Sequence, residues 1–268
     1  MLLTSVVLMS VVGGPAMAET LTKNASTTPQ TAPSITEPSA DAPDNIRVGG
    51  DMDAEVVMKD GLYTAGRSLV EEALPEGYPA PTPPGAIDIK YYPSVRRAAI
   101  SSDTVSVDQG TYAGFFPLFN HIKSREIAMT SPVEMDYAGM GLDGDTENLD
   151  SWTMSFLYRT KDLGPTGQDG RIEVYDTEPV TVVSIGVRGP YGMRTAKRGM
   201  QELEAWFDNQ SEWEIAGDPR SFSYNGPYIP DAVKWSEVQV PVQRVVTVTP
   251  VSLESASSEH SCAWHNDD

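Results

Sequence analysis

Between residues 85 and 244 the chain spells one order of elements twice, and this repetition limits the fold more than any other feature. "IDIKYYPSVRRAAI" (87–100) predicts a strand, with Pro93 at an edge or bulge because proline lacks the N–H a ladder needs. A short helix around Gly114–Lys123 is predicted next, then strands over Ile127–Tyr137 and Trp152–Arg159. The second round starts at Arg171, where "RIEVYDTEPVTVVSIGVRG" predicts two strands separated at Glu178-Pro179. Met193, Ala196, Met200, Leu203 and Phe207 recur every three or four residues, the apolar stripe of a helix over about Tyr191–Gln210. Strands near Ser221–Tyr224 and Glu237–Val242 close the segment. The fold class is therefore α+β, with duplicated strand-helix-strand units forming an antiparallel barrel or sandwich with two helices.

The flanks differ in composition. Residues 1–18 are uncharged, run apolar from Leu2 to Val12, break at Gly13-Gly14-Pro15 and end in Ala16-Met17-Ala18, the pattern of a secretory signal peptide. Export to the periplasm or the extracellular space is the expectation, without a stable membrane anchor. Residues 19–84 read as a linker and N-terminal extension, rich in Pro, Ser and Thr at first, with one or two short helices possible over 53–74. Residues 245–268 form an acidic tail. The net charge is −19, and the two flanks alone carry 15 acidic against 4 basic residues. Phosphate backbones require clustered Lys and Arg, so nucleic acid is a poor partner. A single cysteine, Cys262, excludes an intrachain disulfide.

The stretch "REIAMTSPVEMDY" (125–137) sets Thr130, Ser131 and Pro132 at the mouth of a strand. The hydroxyl pair reads as a capped turn. A nucleophilic serine would need a base and an oxyanion hole, and no Gly-x-Ser-x-Gly elbow surrounds Ser131. "SYNGPYIP" (223–230) takes the matching place after the second helix.

Together, "GFFPLFNHIKSREIAMTSPVEMDY", "EVYDTEPVTVVSIGVRGPYG" and "SFSYNGPYIPDAVKWSEVQVPV" resemble the signature of the SOUL haem-binding family over roughly residues 86–243. The resemblance implies a distorted antiparallel β-barrel flanked by two helices and a tetrapyrrole held in a shallow apolar cleft beside the first helix. Haem needs an apolar face, cations for its propionates and in many proteins an axial ligand. On the first helix Phe115, Phe116, Leu118, Phe119 and Ile122 are candidates for the face, each competing with a plain core role. His121 is the candidate for iron, against a capping role; Met129 is a softer one, against core filling. Lys123 and Arg125 are candidates for the propionates, against pairing with Glu126. Arg194 and Lys197, at the start of the second helix where cations oppose the helix dipole, are further anion candidates. Pro117 is read as lying in the first turn of the first helix.

Two further stretches bear on metal binding. "DGDTENLD" (143–150) lacks the Gly and Glu a calcium loop requires and reads as a solvated turn. "HSCAWH" (260–265) brings His260, Cys262 and His265 together, a set able to bind metal or haem. The expectation is a non-catalytic haem- or tetrapyrrole-binding protein for buffering, transport or scavenging. The alternatives are a module for a non-haem apolar ligand and a tetrapyrrole-modifying enzyme.

Overall fold

The computed structural model describes residues 45–103 and 106–246. The signal-peptide reading, most of the acidic tail, and His260, Cys262 and His265 lie outside them. Among the described residues fourteen strands and two α-helices follow in order: β1 (Asn45–Gly50), β2 (Val57–Lys59), β3 (Leu62–Ala65), β4 (Ser68–Leu69), β5 (Ala86–Tyr92), β6 (Arg96–Ser102), α1 (Val107–Ser124), β7 (Val133–Ala138), β8 (Ser151–Leu157), β9 (Gly167–Asp169), β10 (Ile172–Asp176), β11 (Val180–Arg188), α2 (Met193–Phe207), β12 (Trp213–Ile215), β13 (Arg220–Ser223) and β14 (Trp235–Arg244). Ten strands join in the order β1-β5-β11-β14-β13-β7-β8-β6-β10-β9, β12 adds to β14, and β2-β3-β4 form a separate small sheet. All the named ladders are antiparallel. No ladder among the described residues joins the two ends of the large sheet, β1 and β9.

The duplication is written in the strand order. Reversing β5-β11-β14-β13-β7-β8-β6-β10 exchanges β5 with β10, β11 with β6, β14 with β8 and β13 with β7. These are the corresponding strands of the two units, and they meet at β13–β7. Each helix obeys the same exchange: α1 packs on β6 and β8, α2 on β11 and β14.

Several boundaries differ from the sequence reading. Residues 45–84 hold strands β1–β4 and extended chain where the sequence allows short helices, and β1 extends the main sheet beside β5. The 87–100 strand divides around Pro93 into β5 and β6. Helix α1 begins at Val107, so Pro117 is interior rather than in the first turn; its ring removes the amide that would bond the Ala113 carbonyl. The 127–137 strand starts only at Val133, after a cis Ser131–Pro132 bond.

The sheet has two unlike faces. Alternate residues such as Ile87, Val183, Ile185, Val238, Val240, Met135, Met154 and Ile100 join Leu118, Ile122, Met200 and Leu203 of the helices in the main apolar core. Two glycines let the helices sit close: a Cβ on Gly114 would crowd Met154 and Ile100, and one on Gly199 would collide with Val238. The opposite face carries a polar row beside a second, smaller apolar cluster that includes Tyr92, Val182, Phe222 and Trp235. Thr153, Asp136, Arg220, Gln239, Ser184 and Asp88 are successive cross-strand partners, one row through six strands. Buried polar groups require hydrogen-bond partners, and here the chain's own residues 63–84 cover the row. Tyr78 sets its ring edge-on to Tyr92 at 4.8 Å. The Thr82 amide donates to Glu237 Oε1 at 2.7 Å, and Trp235 Nε1 donates to the Thr82 carbonyl at 2.8 Å.

Candidate functional site

Helix α1 carries two faces of opposite character. Gly114, Leu118, His121 and Ile122 point to the core. Three aromatics do not: Tyr112 is 73% exposed, Phe116 57% and Phe119 39%. The spacing of four and three residues aligns them along one side of the helix, over about 10 Å of axis from Tyr112 to Phe119 at roughly 1.5 Å per residue. Half-buried Phe115 links this stripe to the core. Its ring stacks on Phe119 at 6.1 Å and meets Phe116 and Phe156 edge-on at 5.8 and 5.1 Å. Lys123, exposed, stands one further step along the same side.

His121 is placed otherwise. It is 4% exposed and both ring nitrogens are engaged: Nδ1 lies 2.8 Å from Asp169 Oδ2, Nε2 3.0 Å from the Tyr158 hydroxyl. A neutral ring donating from Nδ1 accepts the Tyr158 proton at Nε2; an imidazolium donates from both. Neither state leaves a lone pair for iron, and the remaining tautomer sets a lone pair against a carboxylate. The hydrogen bond from His121, helped by Arg125, holds the Asp169 carboxyl below its usual range. Arg125 donates to Asp169 at 2.7 Å and to the His121 carbonyl at 3.3 Å, closing the end of α1.

The other candidates separate. Ile122 is core. Met129 is half-buried against that core. Arg194 and Lys197 ride on α2, and the Lys197 stem lies against Gly144 in the β7–β8 loop. The structure thus groups Phe115, Phe116, Phe119 and Lys123, with Tyr112 added, places Leu118 in the core, and leaves Arg194 and Lys197 outside that stripe. The sequence reading omits Tyr112 because it starts the first helix at Gly114, seven residues after its true beginning. Among the described residues no cluster of His, Cys, Asp and Glu could hold a metal ion, and 143–150 forms a turn in which Asp145 caps the Glu147 amide.

The hydroxyl pair at the mouth of β7 is structural. Thr130 Oγ1 donates to the Leu157 carbonyl at 2.5 Å, Ser131 Oγ to the Tyr224 carbonyl at 3.1 Å, and the Ser131 amide to the Ala73 carbonyl at 3.2 Å. The sequence matches the SOUL heme-binding protein profile over residues 78–241. The chain belongs to the SOUL family. No curated protein matches it. Solved structures similar to it include the C-terminal domain of EcmrR (15% identity, 59% of this chain and 98% of that one, TM-score 0.49). A hydrolase from Listeria innocua is similar at 11% identity, with 61% and 94% covered and a TM-score of 0.41. SAV2435 bound to tetraphenylphosphonium is similar at 8% identity, with 59% and 93% covered and a TM-score of 0.38. In this SOUL protein, of the residues that carry the resemblance, Ser131, Tyr224, Asn225 and Glu237 fasten the polar row and its cover, and Thr130 ties the mouth of β7 to the end of β8.

Two cavities, of about 180 and 240 Å³, are lined by residues 139–142 with Ile215, Gly217–Pro219 and Val240, and by Glu76, Ser94, Val95 and Arg159–Lys161. Both are smaller than the roughly 300–1,000 Å³ of pockets that enclose small molecules, and neither is lined by α1.

Proposed function

We propose that this SOUL protein binds haem or a related tetrapyrrole on the outer side of α1, as an exported carrier or scavenger with no catalysis of its own. The observation that carries the reading is the stripe of Tyr112, Phe116 and Phe119, which leaves three aromatic rings in water beside the stacked Phe115. Exposed contiguous apolar surface is unfavourable unless a partner covers it, and flat aromatic ligands stack on such rings. Lys123, at the end of the stripe, offers the cation a propionate needs. Haem would supply the flat apolar ring and two carboxylates; the protein would supply the face and the charge. The uncharged, apolar start of the chain supports export. Neither of the buried hydroxyls at 130 and 131 has a base beside it, which supports binding without chemistry.

The test is titration of the full chain with ferric haem and with iron-free protoporphyrin IX. Saturable changes in the Soret band at micromolar pigment are expected for both. Absence of saturation with either pigment would refute the reading.

A further inference from the structure

An iron-bearing pigment on α1 takes a donor atom from the side it rests on, and the described residues around this helix offer few. His121 is closed off by Asp169 and Tyr158. Met129 is packed against the core. Of the three exposed rings on the outer side of α1, Phe116 and Phe119 carry carbon alone, whereas Tyr112 ends in a phenol oxygen. Tyr112 is also the most open of the three, at 73% exposed.

The spacing lets this oxygen and the phenylalanines meet one flat molecule. Tyr112 and Phe116 are about 6 Å apart along the axis, and Phe119 lies about 4.5 Å further. A ring carbon in van der Waals contact keeps roughly 3.5 Å from an apolar surface, while an oxygen donor sits about 2 Å from a metal ion. The difference is close to the length of the C–O bond by which tyrosine exceeds phenylalanine. One planar pigment can therefore rest on Phe116 while its metal meets the Tyr112 oxygen. Lys123 stands eleven positions beyond Tyr112, about 16 Å along the axis. Helical side chains lean toward the helix N-terminus, which brings the Lys123 ammonium back toward a propionate arm of a pigment centred over Tyr112.

We infer that Tyr112 supplies its phenolate oxygen as the axial ligand to the ferric iron of a haem seated on the outer side of α1. The inference rests on the function proposed above. The bond formed is a donor bond from the Tyr112 oxygen to iron, a ligation tyrosine is able to provide. The bond broken is the phenol O–H; its proton passes to the water around this open side chain, and no electron is transferred. An anionic oxygen is held more strongly by Fe(III) than by Fe(II), because the attraction grows with the charge it faces. The stripe therefore favours the oxidised pigment.

The experiment compares full-length wild type with Tyr112→Phe, which removes one oxygen from an exposed ring and keeps the aromatic face. Ferric haem is followed by electron paramagnetic resonance, by the visible phenolate-to-iron charge-transfer band and by titration, and protoporphyrin IX serves as the iron-free control. Wild type should show a high-spin ferric signal together with that band. Tyr112→Phe should lose the band and bind ferric haem at least about tenfold more weakly, with protoporphyrin IX binding unchanged. Reduction of the iron with dithionite should close the gap between the two chains. If Tyr112→Phe matches wild type in spectrum and ferric affinity, or weakens both pigments alike, the inference is overturned and the function stands. If neither pigment binds wild type, both fall.

Discussion

Lys90 and Glu237 form an ion pair with both Nζ–Oε distances at 3.0 Å and neither side chain exposed to solvent. The pair sits on the polar side of the sheet beneath residues 63–84. It is one part of a larger cage: the Thr82 amide, Tyr92, Ser184, Tyr224 and Gln239 also donate to the Glu237 carboxylate. Removing one member of a buried pair strands the other. Lys90→Met is therefore expected to destabilise the fold by about 3–5 kcal/mol, measured by urea denaturation. Adding Glu237→Leu should not restore wild-type stability, because the five neutral donors would then lose their acceptor. Burial pushes the Glu237 carboxyl up, but Lys90 and the hydroxyls of Ser184 and Tyr224 outweigh it and hold it below the usual range. That stability is present above the ordinary glutamate pKa and is lost as pH falls through the lower folded one.

A second carboxylate behaves in the opposite sense. Arg97 lies 3.2 Å from Glu134 and 3.1 Å from Asp136, and Arg220 holds Glu134 at 2.9 Å. Burial first, and then the charge of Glu134, push the Asp136 carboxyl up to about 7. A group whose folded pKa exceeds its unfolded one favours the folded state at low pH, so this contribution is full below about pH 4 and disappears as pH rises through 7. Asp136→Asn is expected to raise the urea midpoint at pH 8 and leave it nearly unchanged below about pH 4. The gain will be partly screened, since 31% of the side chain is exposed. An equal effect at both pH values would contradict the assignment.

Gly186 marks where the cover meets the sheet. A Cβ there would fall on the carbonyl oxygens of Thr82 and Pro83, and its own carbonyl accepts the Gly85 amide at 2.8 Å. Gly186→Ala is expected to destabilise by about 2–3 kcal/mol, the upper range for overpacking. Hydrogen exchange should accelerate at Gly85 before it does at the β11–β14 ladder. Uniform acceleration across the sheet would argue against a local wedge.

The α1 stripe separates binding from folding. Phe116 is 57% exposed, so Phe116→Asp should leave stability within about 0.5 kcal/mol of wild type, the usual range for surface substitutions. It should weaken tetrapyrrole binding at least about tenfold, or about 1.4 kcal/mol. Lys123→Ala should reduce affinity by less, and the reduction should shrink at high salt because an exposed charge pair is screened. Unchanged binding in Phe116→Asp would move the site elsewhere.

Much of this was legible in the sequence because it is local. The three- and four-residue spacing from Met193 to Phe207 sets the buried side of α2, and the Gly- and Pro-bounded apolar runs mark β11 and β14. Their repetition around α1 and α2 implies a duplicated α+β fold, and side-chain periodicity alone carries that information. The sequence also carried the family, through motifs whose hydroxyls and amides must all meet partners. What tertiary structure decided is which partner each residue meets. Residues 63–84 carry no strong period, and only the covered polar row of the sheet gives them a place. His121 looked free in the sequence; Tyr158 and Asp169, 37 and 48 residues away, engage its nitrogens. Phe115 and Phe116 are neighbours in sequence, yet one reaches the core and the other stands in water, because a helix turns about 100° per residue and the sheet lies on one side only.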